Sequence, residues 1–367
     1  MKSLIIIEHE PLTVRLKNIW NIDALKERGV HVEYWNLSRL IFPDVDIPMQ
    51  VDDNCLKHID KLEEFEKELS NVDVSNTVFV TEFYFNWNNR KIVLLLKKYQ
   101  CYCVKLDLYA NTNLPISFAD KVKYRLHAIT LKHLINKIRL VYFYKANSIK
   151  KYDKVLSSSS YVNPDIYINH PDYELYRKID SQSCLTIPYI LFVDTYYPLH
   201  PDIMIISGKT ADAKPYRKQM NDFFDFLENK FSKEVVIAAH PKAQYDGSEF
   251  GGRKIFWGKT AELIKGADQV FMHGSNSLSF ITLADKPFAI VYPDSFKIFP
   301  YMYKQVLNLA KYCHKKAYNL DLCDWGEIEF LKWDKELREK YIYGFLTSRA
   351  TENRWNVDVW VKELLME

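Results

Sequence analysis

Two apolar runs that each stop at a polar turn do most to restrict what this chain can become. Val235-Val236-Ile237-Ala238-Ala239 runs into His240-Pro241-Lys242, and Val270-Phe271-Met272 runs into His273-Gly274-Ser275-Asn276-Ser277. An apolar, helix-compatible stretch to Ala284 follows, then a third short run over residues 288–292. Strand, polar turn, helix, strand is the order of a parallel α/β sheet, whose ligands gather at the carboxyl ends of the strands. A Gly-Ser-Asn-Ser turn opening a helix offers N–H groups, two hydroxyls and the positive end of a helix dipole, which together suit a phosphate. The imidazole of His240, at a neighbouring strand end, could reach the same ligand. Two such turns in adjacent βα units point to a nucleotide-type donor, with His240, Pro241, Lys242, Gly274, Ser275, Asn276 and Ser277 as its binding residues.

The first half repeats the layout with different chemistry at the strand ends. Leu4-Ile5-Ile6-Ile7 is short and wholly apolar, as a strand buried on both faces requires, and it ends in Glu8-His9-Glu10-Pro11. Residues 13–28 read as one helix stopped by Gly29, and 30–35 as the next strand. This β-α-β opening is Rossmann-like in layout but lacks the G-x-G-x-x-G of a dinucleotide site. Residues 52–70 read as a charged helix with Leu56, Ile59, Leu62, Phe65 and Leu69 on its apolar positions. Strands follow over 77–81, ending at Glu82, and over 101–106, ending near Asp107, with a helix over 91–99 between them. Residues 121–141 form a basic amphipathic segment, and 154–157 a closing strand. Periodicity then fades into Ser, Pro, Asp and Tyr.

A new apolar run over 187–193 ends at Asp194 and starts a second set of elements, including a helix over 215–231. The expected division is therefore 1–160 for an acceptor-side domain, 161–186 for a linker and 187–345 for a donor domain. Residues 346–367 make a C-terminal helix that could return to the first domain, with Val357, Trp360, Val361 and Leu364 on one stripe.

Composition removes several function classes. A chain of 367 residues is too long for one ordinary core, so two domains are expected. The net charge of +3 carries no clustered basic face, which argues against nucleic acid as a partner. Six cysteines lack zinc-type spacing, and Cys101 and Cys103 share a strand face, as structural thiols do. Asp44-Val-Asp46 is the one Asp-x-Asp and sits beside prolines, so no metal is expected, and no cofactor beyond a donor substrate. The chain has no uncharged run of the ~20 residues needed to span a bilayer. A cytoplasmic location is expected, with the basic segment 121–139 able to rest on anionic lipid of the inner membrane.

Taken together, two α/β domains with phosphate-handling turns in the second resemble glycosyltransferases of the GT-B type, two Rossmann-like domains facing a cleft. His240-Pro241 resembles the His-Pro motif, and Ser275-Asn276-Ser277 the Ser-rich motif, of bacterial sialyltransferases and retaining β-Kdo transferases. Residues 190–202, from Ile190 through Asp194 to Asp202, look like the first strand and loop of the donor domain in that group. The resemblance implies a CMP-sugar donor, with the His-Pro turn on the cytidine and the serines on its phosphate, and a glycan or glycolipid acceptor. The Asp/Glu-Asp/Glu-Gly motif of many bacterial sialyltransferases is absent, which leaves room for retention through a carboxylate nucleophile. Asp194, at a strand end of the donor domain, is the candidate nucleophile. Glu8, His9 and Glu10 are candidates for the base of an inverting displacement, with Glu82 and Asp107 at equivalent strand ends. A UDP- or GDP-sugar transferase and a non-catalytic nucleotide-binding module stay open beside this reading.

Overall fold

The computed structural model describes residues 2–43, 51–82, 85–108, 131–150, 152–179, 185–201, 203 and 207–366, with side chains described from 135 onward in the helix that starts at 131. Of these, the residues up to Pro171 and from Thr347 onward form one compact unit, and Asp172 to Leu346 form another.

The first unit is built on seven parallel strands. They are β1 (Ser3–Glu8), β2 (Val32–Asn36), β3 (Leu56–His58), β4 (Thr77–Thr81), β5 (Tyr102–Asp107), β6 (Lys154–Ser157) and β7 (Ile166–Tyr167). Their order across the sheet is β3-β2-β1-β4-β5-β6-β7. Period-2 alternation sends Leu4, Ile6, Val32, Tyr34, Val78, Val80, Val104 and Leu106 into one core, and Ile5, Ile7, Trp35, Phe79 and Cys103 into the core on the opposite face. Both faces are covered, which is why β1 reads as an unbroken apolar run.

Three expected stretches of the chain up to residue 186 differ. The single helix over 13–28 is two, Val14–Ile19 and Ile22–Glu27, because Asn21 adopts left-handed φ of 52° between them. Residues 52–70 hold β3 and then the helix Leu62–Asn71; Asp53 accepts from Cys55 N and from Lys17 and Lys26, which fixes a turn where a helix was expected. The stretch 161–186 contains β7, paired with β6, and the helix Pro171–Lys178. The C-terminal stripe is buried in the first unit's core: Trp360 lies edge-on to Trp20 at 6.0 Å, and Lys2 N donates to Leu365 O.

The second unit has six parallel strands: β8 (Tyr189–Val193), β9 (Glu234–Ala239), β10 (Ile255–Trp257), β11 (Gln269–Met272), β12 (Phe288–Tyr292) and β13 (Ala317–Asn319). Their order is β10-β9-β8-β11-β12-β13. The helix Ala213–Phe231 buries Tyr216, Met220, Phe223, Phe224 and Leu227, spaced to form one apolar stripe. It starts where the Asp212 side chain accepts from Lys214 N and stops where Ser232 turns left-handed. Phe192 stacks on Phe271 at 5.0 Å and meets Phe224 at 5.4 Å, so β8, β11 and this helix share one aromatic core.

Both sheets have the same wiring. The first strand sits centrally, the next two run out to one side, and the remainder run out to the other. The sense of winding reverses between β1 and β4 and between β8 and β11, and such switch points are where open α/β sheets bind ligands. Each unit is a Rossmann-like α/β fold without the glycine fingerprint.

Candidate functional site: two sheet switch points

In the second unit the switch point is occupied by Asp194, which follows β8 and is 3% exposed. Its Oδ1 accepts from Tyr196 N at 3.0 Å, and its Oδ2 accepts from the Tyr245 hydroxyl at 2.8 Å and, longer, from His240 N at 3.4 Å. Burial pushes its pKa up to about 6, against these donors, which pull it down. Asp194 thus ties the loop after β8 to the His240 turn after β9. The turn itself is stiffened by Lys242 N donating to His240 Nδ1 at 3.1 Å, and the His240 ring lies edge-on to His200 at 4.6 Å. His240 is half-buried, whereas Pro241 and Lys242 are exposed. Tyr245, which packs against Tyr196 at 5.4 Å, was not legible as a site residue; only the fold brings it back across 51 residues to Asp194.

The Gly-Ser-Asn-Ser turn follows β11 on the other side of the switch point. Ser275 Oγ accepts from Ser277 N at 3.1 Å, and Ser279 Oγ donates to Asn276 O at 2.9 Å while also bonding Asp172. Asn276 is exposed, with Ser275 and Ser277 half-buried on either side. Gly274 faces Val306, but a Cβ there would meet it at 3.4 Å, an ordinary contact, so space does not force glycine. The helix that follows, Leu278–Leu283, has only six residues, so any pull on an anion would come from the local N–H and hydroxyl groups more than from a macrodipole. His273, which precedes this turn, is structural. It is fully buried, with Nδ1 at 2.7 Å from Val291 O and Nε2 at 2.8 Å from the Tyr216 hydroxyl, and burial lowers its pKa to about 4. A neutral ring donating from Nδ1 and accepting at Nε2 satisfies both contacts.

In the first unit the switch point gathers Glu8, His9, Glu10 and Glu82. Glu8 ends β1, is 1% exposed, and its Oε1 accepts from His9 N at 2.8 Å and pairs with His9 Nδ1 at 2.5 Å. Its second oxygen, Oε2, is buried with no hydrogen-bond partner. Burial lowers the His9 pKa, but its bond to Glu8 and the charges of Glu8, Glu10 and Glu82 outweigh this and leave it raised. Glu10 is exposed, and its carbonyl accepts from the Tyr34 hydroxyl at 2.7 Å, which pins the loop. Glu82, just past β4, is pushed up to about 7 by burial and by the Glu8 charge, with Arg15 acting against them. Thr81 Oγ1 beside it is also buried without a partner. Asp107, at the end of β5, is ion-paired with Lys105.

Other expectations fall elsewhere. Among the described residues no group of His, Cys, Asp and Glu is arranged to hold a metal. Cys101 and Cys103 are buried, and burial pushes the Cys101 thiol up to about 12. Asp44-Val-Asp46, Asp202 and the basic residues Lys121, Lys123 and Arg125 lie outside the described residues. No described helix is long and apolar enough to cross a membrane.

No family model matches the sequence, and no curated protein sequence matches it. Solved structures match its fold. The wall teichoic acid polymerase TagF aligns over 99% of this chain and 89% of its own, at 10% identity and a TM-score of 0.52. The same polymerase carrying a histidine-to-asparagine change and soaked with CDPG aligns over 100% and 88%, at 12% identity and 0.51. The calicheamicin glycosyltransferase aligns over 93% and 92%, at 11% identity and 0.49. The polymerase likeness, over nearly the whole of both chains, places this fold with the GT-B class and its two Rossmann-like units.

Proposed function

We propose that the chain is a glycosyltransferase moving an acidic ulosonic sugar, of the Kdo or sialic-acid kind, from a CMP donor to a hydroxyl of a bacterial surface glycan or glycolipid. The observation that carries this reading is the chemistry gathered at the switch point of each unit. The second unit presents hydroxyls, an imidazole and a lysine, suited to a nucleotide phosphate. The first presents a buried carboxylate paired with a half-buried histidine, with one carboxylate oxygen unengaged, suited to a proton.

On this reading His240 meets the cytidine, and Ser275, Ser277 and Lys242 meet the phosphate. Glu8 Oε2 takes the proton of the acceptor hydroxyl. As that O–H bond breaks, the oxygen attacks the anomeric carbon, the bond from that carbon to the CMP oxygen breaks, and CMP leaves with the electron pair. One displacement of this kind inverts the anomeric centre. The alternative of Asp194 as nucleophile, with retention, is less well supported: attack would pull a 3%-exposed carboxylate away from Tyr196 N, Tyr245 and His240 N. Asp194 instead positions the His240 turn.

Calorimetric titration with CMP, UDP, GDP and CDPG tests the donor class. CMP should bind at least tenfold more tightly than UDP or GDP; the reverse order would overturn the cytidine assignment. CDPG is included because it was soaked into the polymerase of similar fold, and tighter binding of CDPG than of CMP-sugar would move the reading to that donor. A peripheral lipid contact belongs to the same proposal. The helix Leu131–Ala146 has no acidic residue, carries Lys137, Arg139 and Lys145, and exposes Ile138 and Tyr142. Sedimentation with vesicles containing phosphatidylglycerol should exceed that with neutral vesicles; equal sedimentation removes the contact.

A further inference from the structure

The base assigned above has a neighbour that no motif announces. β1 and β4 are paired in parallel with Ile6 beside Val80, and that register carried two residues further sets Glu8 beside Glu82. Both then fall on the face that carries Leu4, Ile6, Val78 and Val80. Two carboxyls abreast, one buried and one half-buried, cannot both ionise without cost, so such a pair tends to keep one proton. Glu8 is paired with His9, and Glu82 is the carboxyl of the two that holds the proton. The direction of the Glu82 shift agrees with this, since burial and the Glu8 charge are its two largest causes. The remaining groups around the pair are Glu10 and His9 on the loop after β1, Arg15 on the helix Val14–Ile19 and Tyr34 on β2. Beneath them Glu8 Oε2 is 1% exposed by residue and unpartnered, an oxygen that needs a donor.

We infer that Glu8 and Glu82 form one recognition site for two oxygens of a neutral polyol: Glu8 Oε2 accepts from the reacting hydroxyl, and the Glu82 carboxyl donates to a second oxygen of the same acceptor. This rests on the glycosyl-transfer reading and names its acceptor class. The acceptor end is an uncharged sugar with adjacent hydroxyls, because Glu8 and Glu10 repel an anionic terminus. Glu82 is an acceptor-binding residue, and Glu8 remains the base. The proton that leaves the acceptor oxygen ends on Glu8, and Glu82 keeps its own.

The test uses the full chain with Glu82→Gln, Glu82→Leu and Glu8→Gln. Glutamine keeps a donor at all pH values, so the acceptor KM of Glu82→Gln should stay flat from pH 6 to 8.5. The wild-type KM should rise about tenfold over that range as Glu82 loses its proton. Glu82→Leu should show a raised KM at every pH with kcat changed less than threefold. A KM in Glu82→Gln that follows the wild-type pH profile overturns the inference. A second readout needs no turnover: carboxyl carbon NMR of glutamate-labelled protein should show a titration near neutrality that vanishes in Glu82→Gln and moves to lower pH in Glu8→Gln. Absence of that titration sinks the pair. Its presence in a protein that transfers no sugar from any CMP, UDP, GDP or CDPG donor would keep the pair and reject the glycosyl-transfer reading.

Discussion

The two switch points are built alike and finished differently. Each puts a buried carboxylate at the end of its sheet's central first strand, Glu8 as the last residue of β1 and Asp194 just after β8. Asp194 has donors on both oxygens, supplied by its own loop, by the turn after β9 and by Tyr245. Glu8 spends one oxygen on His9 and leaves the other unpartnered. Burial raises carboxyl pKa values at both places, on Asp194 itself in one and on Glu82 beside Glu8 in the other. On the proposed reading, the contrast separates a carboxylate that holds structure from one that takes a ligand's proton, although strand position and burial are nearly the same.

The sharpest way to break this comparison is to neutralise both acids. Glu8→Gln should lower transfer by roughly 10²–10⁴-fold, with the midpoint of urea unfolding little changed. If Glu8→Gln instead unfolds the protein without a selective loss of rate, the distinction fails. Asp194→Ala should behave oppositely, costing about 2–4 kcal/mol in urea unfolding because Tyr245 and two backbone N–H groups lose a buried acceptor. A variant as stable as wild type would deny it the structural role.

Next in size is His240→Ala, which should weaken CMP binding by about 1–3 kcal/mol if the ring makes a buried hydrogen bond to the nucleotide. Calorimetry decides it, and unchanged affinity in a folded variant withdraws His240 from the donor site. The smallest effect concerns pH. Asp194 titrates near 6 when folded and 3.8 ordinarily, so the folded state holds the proton more tightly between those values. Stability contributed by that proton is therefore present at low pH and falls as pH rises from about 3.8 to 6. Unfolding free energies of Asp194→Asn should lack this slope; an identical slope would assign it to other groups.

How much of this was legible differs by level. Leu4 to Ile7, Val235 to Ala239 and Val270 to Met272 announced themselves because a parallel strand buried on both faces must be apolar at every position. The polar turns at their ends were legible for the same reason: the apolar run stops where the sheet does. Strand order was not, and the switch points depend on it. Glu82 meets Glu8 only because β4 lies beside β1, and Tyr245 meets Asp194 only after the chain has passed through β9. The helix period over 52–70 misled because Leu56 and Ile59 continue the spacing of Leu62, Phe65 and Leu69 while Asp53 binds Lys17 and Lys26 and bends the chain into β3.

The burial of Trp360 against Trp20 has a consequence for the order of events at the ribosome. Domains generally fold as they emerge, amino-terminal first. Here Trp360, Leu364 and Leu365 belong to the core that also contains Leu4 and Ile6. The strand that carries Leu4 and Ile6 therefore cannot complete this core until residues 360–365 have been made. Until then the core face of β1 lacks the cover of those side chains, while residues 172–346 of the second unit have already been made. The later-made half is in a position to finish first.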